Sequence, residues 1–583
     1  MIFNLKLKKP GMTTFTKNAI QILKNRYLLK ANEGKIIETP EQMFERVAKF
    51  IASAEEKDRA IWETRFFDLM FQLDFLPNSP TLMNAGVKKG QLSACFVLPV
   101  EDSLEAIFTT LKNAALIHQS GGGTGFNFSK LRPKGDWTTN SGGTSSGPVA
   151  FMKIYDAATE NVKQGGKRRG ANMGILNIDH PDIELFINSK SDDKSIKNFN
   201  ISVGVTNKFM EAVEKGLDWD LINPRTKKIE RSVKATALWQ NIVRQAWKTG
   251  DPGLLFLDTI NRSNPLPGSG EIQSTNPCGE VPLVDYESCN LGSVNLSGMI
   301  SFLSGRPEID YRKLERVVTT GIRFLDNIIS INHYLLPEVE AVTKAHRKIG
   351  LGVMGWAEML IQLEIPYASQ EAVNLAEKIM KFIKDSSYNA SESLAKEKGK
   401  FPKWEESIYY PGPELRNATC NSIAPTGTIS VLANTSYSIE PLFALAYNRV
   451  GILGGETQTE ISALLINKLQ VLGLWNMEVK NIILSQGSVK NIAEVPDKFK
   501  KLFEASLEIS WDYHLLHQKA FQEHTDNAVS KTINLPENTS VEDISEIYFK
   551  AWEYKLKGIT IYRYGSKNRQ VLQKCSLNSG IDC

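Results

Sequence analysis

The sequence predicts an α/β fold with parallel strands, and three observations carry that prediction. From Phe75 to about Tyr564, short apolar stretches such as "ACFVLPV" and "NMGIL" alternate with glycine-rich loops and amphipathic helical patterns; that rhythm builds parallel sheets. The helical patterns are long, covering Leu104–His118, Val149–Val162, Ala235–Lys248, Leu314–Ile331 and Glu371–Glu397, with apolar residues three and four apart. The composition, 42% apolar and 23% charged, is that of a globular protein with a sizeable core.

Taken in chain order, residues 1–74 read as a helical region. "PEQMFERVAKFIASAEEKDRAIWETRFFDLMFQL" repeats apolar residues at helical spacing, with Pro40 near a helix start. The opening "MIFNLKLKKPGMTTFTKNAIQ" lacks the apolar core and small-residue cleavage site of a signal peptide. No apolar run approaches the roughly 20 residues of a membrane-spanning helix, so a cytoplasmic protein is expected. Residues 75–564 form the α/β region, without repeat, low-complexity tract or linker. Residues 565–583, "GSKNRQVLQKCSLNSGIDC" from Gly565, are polar and aperiodic and read as a flexible tail. A net charge of +4, with acids and bases interspersed, excludes a basic nucleic-acid coat.

Three segments are rich in glycine: "SGGGTGFNFS" (Ser120–Ser129), "NSGGTSSGP" (Asn140–Pro148) and "QGGKRRGANMG" (Gln164–Gly174). Such loops let backbone approach a ligand and offer N–H groups to anions, but each alone is as readily a turn. "APTGTIS" (Ala424–Ser430) could open a helix whose free N–H groups hold phosphate. None carries the Gly-Lys-Ser/Thr of a P-loop. "GLGVMG" (Gly350–Gly355) matches G-x-G-x-x-G. It lacks a clean preceding strand, and the acid near the expected spacing, Glu371, falls in a helical stretch, so a dinucleotide site is rejected. His514, His517 and His524 in "HLLHQKAFQEH" lack an HExxH pattern and read as a polar helix face.

The six cysteines, Cys95, Cys278, Cys289, Cys420, Cys575 and Cys583, are too few for a disulfide scaffold and include no CxxC pair. Small buried hydrophobes are the plain reading of any one of them, although two on a polar tail are hard to explain as core. Cys278 stands in "NPCGE", between an amide at Asn276 and a carboxylate at Glu280.

That motif, with "SCNLGSVNL", "PNSPTLMNAG", "LSACFVLPV", "QSGGGTGFNFS", "KQGGKRRGANMGIL", "RKIGLGVMGW", "APTGTIS" and "NAVSKTINLP", resembles the catalytic chain of ribonucleotide reductases. The resemblance is strongest to the adenosylcobalamin-dependent class II ribonucleoside-diphosphate reductases, and the motifs keep the family's order over nearly the whole chain. It implies a ten-stranded α/β barrel of two parallel five-stranded halves set antiparallel, with a central finger loop bearing the radical cysteine. By motif position that cysteine is Cys278, and the redox pair is Cys95 with Cys289.

The residue types suit the implied chemistry. A thiol S–H bond is weak enough to exchange hydrogen with a ribose C3′–H. Glu280 suits a general base for the 3′-hydroxyl, and Asn276 can orient the ribose hydroxyls. Two further thiols deliver two electrons and become a disulfide. Cys575 and Cys583 would re-reduce that pair from a thioredoxin- or glutaredoxin-like donor, although seven residues separate them where the family usually has a close pair. Cys420 is left as structural. The resemblance also implies that the substrate diphosphate meets Ser79, Ala94, Gly123 and the run Pro425, Thr426, Gly427, Thr428 and Ile429. It implies deoxynucleoside triphosphate or ATP effectors near Asp102 and Arg132, with Lys163, Gln164 and Arg168 relaying effector identity. By composition alone, that basic loop could equally be a solvated turn or an RNA contact. A homodimer is implied, with no metal site.

The radical source follows by comparing classes. Class I enzymes pass an electron through adjacent tyrosines, but in "GITIYRYGSK" Arg563 follows Tyr562. A C-terminal glycyl-radical motif is not found. Adenosylcobalamin therefore remains, with no short motif naming its contacts. No ATP-cone is recognised, so regulation of specificity without shut-off by dATP is expected. The alternatives are a class I large subunit needing a metal-containing partner subunit, and a non-catalytic nucleotide-binding homologue.

Overall fold

The computed structural model describes residues 15–32, 34–137, 142–164, 168–192, 195–449, 458–566 and 572–573. Its main sheet comprises β1 Phe75–Pro77, β2 Cys95–Val97, β3 Gly123–Asn127, β4 Asn172–Asn177, β5 Phe199–Val205, β6 Gly253–Phe256, β7 Ser288–Asn295, β8 Ile349–Met354, β9 Thr532–Leu535 and β10 Gly558–Arg563. Strands β2 to β6 run parallel in chain order, with Cys95 beside Gly123, Thr124 beside Asn172, Asn172 beside Phe199 and Gly253 beside Ser202. A second parallel set begins with β7 and β8. It continues through bridges from Leu351 to Asn421 and from Ile423 to Val529, and ends with β9 beside β10.

The two sets meet antiparallel at both seams. Leu254 of β6 faces Ile559 of β10, and Cys95 of β2 faces Cys289 of β7. The sheet thereby closes into the barrel that the resemblance implied, and β1 lies antiparallel along the far half of β7. Closure leaves few unpaired strand edges.

Helices fall where the apolar periodicity puts them. They are α1 Pro40–Ala52, α2 Arg59–Phe71, α3 Leu104–Ser120, α4 Pro148–Asn161, α5 Ala235–Thr249, α6 Tyr311–Ile331, α7 Gln370–Lys398 and α8 Trp511–Glu523. Helix α1 starts at a capping box, Thr39 and Gln42 each satisfying the other's backbone N–H, with Pro40 in its first turn. It buries Met43, Phe44, Val47, Ala48 and Ile51 on one face. Helix α6 begins three residues before its first apolar repeat position, Leu314, because Asp310 accepts from the Lys313 N–H and caps it.

Two large cores flank the barrel. One joins the N-terminal helices, including Phe44, Phe66 and Met70, to β7 and β8 through Val294, Leu351 and α6. The other packs α3, α4 and α5 on the first strand set, around Phe126, Tyr155, Phe199 and Ile242.

The rejected dinucleotide pattern has a different structural use. "GLGVMG" covers most of the buried strand β8, and what precedes it is the helix Pro337–His346. A Cβ at Gly352 would stand 2.2 Å from the Ser422 carbonyl oxygen, so glycine admits the neighbouring segment. The histidine reading needs correction: His514 and His517 are fully buried, not a solvated face. His514 bonds the Ser506 carbonyl and Lys531 Nζ, and His517 bonds the Tyr367 carbonyl and accepts from the Trp356 indole. Phe521, four residues after His517 on the same face, is fully buried as well, so this face turns inward.

Candidate active site

A finger loop enters the barrel on two short antiparallel strands, Ser274–Thr275 and Pro282–Leu283. Its tip is "NPCGE". Gly279, at φ +81°, makes the turn that carries the chain past Cys278. The Asn276 carbonyl accepts from the Gly279 N–H, and its side-chain oxygen accepts from the Val281 N–H at 3.0 Å.

The barrel is shaped to receive the finger. A Cβ at Gly125 would lie 1.7 Å from the Thr275 carbonyl oxygen, and one at Gly123 would lie 2.8 Å from Pro277 Cγ. Those glycines of "GGGTGF" therefore give room to the finger's backbone. Asn200 of β5 donates to the Pro277 carbonyl at 2.7 Å, and Asn127 of β3 to that of Gln273 at 2.8 Å. On the opposite side the Glu280 carbonyl accepts from Ser422 Oγ at 2.8 Å and from the Ala528 N–H at 2.9 Å. The tip is thus held by both strand sets.

Five predicted residues converge here. Cys278 is exposed and borders a cavity of about 530 Å³. Asn276 and Glu280 are buried. Beneath them, Cys95 and Cys289 are directly opposed residues across the β2–β7 seam, 3% and 0% exposed. Asn276 Nδ2 donates to Cys95 Sγ at 3.1 Å, joining the finger to the pair. Burial pushes the Cys95 thiol well up, and the nearby Glu280 and Cys289 push it further. Burial also raises Cys289, with Glu287 adding and Lys348 opposing. Both are therefore neutral thiols at neutral pH.

One buried cluster beside Cys289 was not foreseen. Glu287 accepts from Lys348 Nζ at 2.9 Å and bonds His346 Nδ1 at 2.7 Å. Burial alone would raise its carboxyl, but Lys348 and His346 overcome that and hold it down at about 2. Only its adjacency to "SCNLGS" could have drawn attention to it in the sequence.

The expected substrate residues form two connected groups. Ala94 accepts from the Gly123 N–H, and Ala94 and Ala424 pack on the cluster containing Cys95 and Cys289. Pro425 lines the Cys278 cavity. Ser79 Oγ lies 2.9 Å from Tyr27 Oη, and Thr428 Oγ1 accepts from Arg26 at 3.1 Å. The "APTGTIS" helix is a single turn, Ile429–Leu432, too short for the anion-binding helix start considered from sequence. Asp102 and Arg132 are ion-paired at 2.8 Å. Lys163 and Gln164 form a two-residue ladder with Arg168–Arg169. Cys420 is fully buried, and Cys575 and Cys583 lie outside the described residues.

Comparison with known proteins bears on this arrangement. A family model described as the ribonucleotide reductase barrel domain matches residues 93–414 and 413–562, and one described as the all-alpha domain matches residues 13–90. The vitamin B12-dependent ribonucleoside-diphosphate reductase of Thermoplasma acidophilum is 48% identical over 618 residues, taking in 96% of this chain and 80% of the relative. Its counterpart in Mycobacterium tuberculosis is 46% identical over 563 residues, with 96% and 80% covered. A solved class Id ribonucleotide reductase alpha subunit from Actinobacillus ureae superposes with a TM-score of 0.78 at 24% identity, covering 94% of this chain and 97% of that one. That last likeness is one of fold.

Proposed function

The chain belongs to the ribonucleotide reductase family, and on that premise we propose that it reduces ribonucleoside diphosphates to 2′-deoxyribonucleoside diphosphates for DNA synthesis, by a thiyl radical on Cys278 started from adenosylcobalamin. The observation that carries this reading is the finger: Asn276, Cys278 and Glu280 on one clamped loop, bonded to a redox pair that faces across the barrel seam. The similarity to vitamin B12-dependent reductases supports the cofactor.

The cavity at Cys278 has a lining suited to one face of such a group. Its walls include Leu254, Phe443, Ile559 and Ile561, an apolar surface for a large ring. Gln518 Oε1 and Ser506 Oγ, buried in the same wall, have no hydrogen-bond partner among the described residues and could meet its polar arms. When bound, adenosylcobalamin supplies the acceptor for the hydrogen atom of the Cys278 thiol.

The chain's own groups do the rest. The Cys278 thiyl takes the C3′ hydrogen and later returns it. Glu280 accepts the 3′-hydroxyl proton as the C2′ hydroxyl departs as water. Asn276 orients the ribose. Cys95 and Cys289 lose two hydrogens and become a disulfide, so one water and one disulfide form for each deoxyribonucleotide. Cys575 and Cys583 would restore the pair using a thioredoxin- or glutaredoxin-like reductant.

Residues 1–74 serve in this reading as the helical region, 75–564 as the catalytic barrel and 565–583 as the redox tail. Effectors bind near Asp102 and Arg132, and Lys163, Gln164 and Arg168 relay their identity. Exposed Leu104, Phe108 and Leu116 on α3 and Ile154 on α4 offer an apolar face for a homodimer. No helix among the described residues is long and apolar enough to cross a membrane, in keeping with a cytoplasmic enzyme.

The test is anaerobic reduction of CDP with dithiothreitol and an effector, with and without adenosylcobalamin. Deoxycytidine product that requires the cofactor and is lost in Cys278→Ser is expected. Product formed without cobalamin, or only with a second subunit, would contradict the proposal.

A further inference from the structure

The N-terminal helical region reaches the expected diphosphate site through two adjacent residues. A π-helical turn, Leu23–Tyr27, presents Arg26 and Tyr27 toward the barrel. Such turns are frequent at functional sites. Tyr27 Oη lies 2.9 Å from Ser79 Oγ, while Arg26 Nη1 donates to Thr428 Oγ1 at 3.1 Å. One turn of helix thus joins two hydroxyls that belong to chain segments 349 residues apart.

Among the described residues, Arg26 has no carboxylate partner. Thr428 is its sole side-chain hydrogen bond, and no ion pair involves it among the described residues. A half-buried guanidinium whose only partner is a neutral hydroxyl keeps most of its five donors for something else. The loop it touches is similarly undersatisfied. Ser430 Oγ and Ser438 Oγ, both fully buried, have no hydrogen-bond partner among the described residues. Thr426, at φ +57°, is fixed by its hydroxyl's acceptance of the Ser438 N–H at 2.8 Å. Gly427 has open space where a Cβ would stand. Pro425 of the same loop borders the cavity that Cys278 opens onto. A ligand spanning that cavity to Thr428 would end at a positive charge.

We propose that Arg26 is a specificity-determining residue: it reads the terminal phosphate of the nucleoside diphosphate, with Thr428 and Ser79 as neighbouring hydroxyl ligands. This inference rests on the reductase reading above and deepens it by assigning what distinguishes a diphosphate from a monophosphate. Guanidinium binds phosphate through paired, charge-assisted hydrogen bonds that lysine reproduces only as a point charge.

Equilibrium dialysis of CDP and CMP against the full chain, without adenosylcobalamin so that nothing turns over, tests it. The unmodified chain is expected to prefer CDP. In Arg26→Gln, CDP affinity should fall roughly 10- to 100-fold, the usual range for a lost charged hydrogen bond. CMP affinity and the melting temperature should stay as they were. Arg26→Lys should recover part of the preference. Equal losses for CDP and CMP, or none for CDP, would overturn the assignment of Arg26 while leaving the reductase reading intact. An unmodified chain that neither binds nor, with cobalamin, reduces CDP would overturn both.

Discussion

At the scale of the residue, the site depends on which groups are charged and which are not. Cys95 and Cys289 are kept as thiols by burial, whereas Glu287, two positions before Cys289, is kept as a carboxylate by Lys348 and His346. Removing one member of a buried ion cluster strands the other. Glu287→Gln should therefore cost about 3–5 kcal/mol at pH 7, measured by chemical denaturation. The pH dependence has a definite sign. Its carboxyl titrates lower in the folded chain, about 2, than the ordinary 4.5. Its contribution is complete above 4.5 and is lost as pH falls toward 2, so the gap between variant and parent should narrow below about 4.5. A gap that does not change with pH would sink this account. The sequence offers the order of these residues but not the cluster, because His346 and Lys348 reach Glu287 only when β8 lies beside β7.

At the scale of the element, the finger loop shows why glycine-rich motifs were hard to interpret. "GGGTGF" was open to reading as a ligand-binding loop, and "GLGVMG" matched a dinucleotide pattern that its context rejected, yet Gly123, Gly125 and Gly352 sit in buried strands. What they admit is protein: the Thr275 carbonyl at Gly125, Pro277 at Gly123 and the Ser422 carbonyl at Gly352. Spacing along one chain carries no record of which backbone comes within touching distance. The helices were legible for the opposite reason, since their apolar faces and caps are local; α3 and α5 begin at the residues their periodicity picks out. Gly125→Ala tests the finger's seat. A methyl group 1.7 Å from a carbonyl oxygen must displace the loop. Reductase activity should fall at least about 100-fold, as expected when reacting groups shift by about an ångström. A variant with full activity would mean that the finger does not need this close packing.

At the scale of the molecule, the barrel halves contribute unlike parts to one site. The first strand set gives Cys95 and the glycine floor, the second gives Cys289 and the Ser422 clamp, and the finger stands between them. The α/β class was legible from the alternation of strands and helices. Closure into a barrel came from the family resemblance, because the seams β2–β7 and β6–β10 pair residues far apart in the chain. The same distance explains why Cys95 and Cys289 could be paired only by motif position. The account's central claim is that Cys278 alone exchanges hydrogen with the cofactor, while the seam pair acts later. The most direct measurement follows tritium from water into the 5′ carbon of adenosylcobalamin, with effector present and no substrate. Incorporation is predicted in the unmodified chain and in Cys95→Ser and Cys289→Ser, and none in Cys278→Ser. Incorporation that survives Cys278→Ser, or that vanishes with Cys95→Ser, would contradict the account.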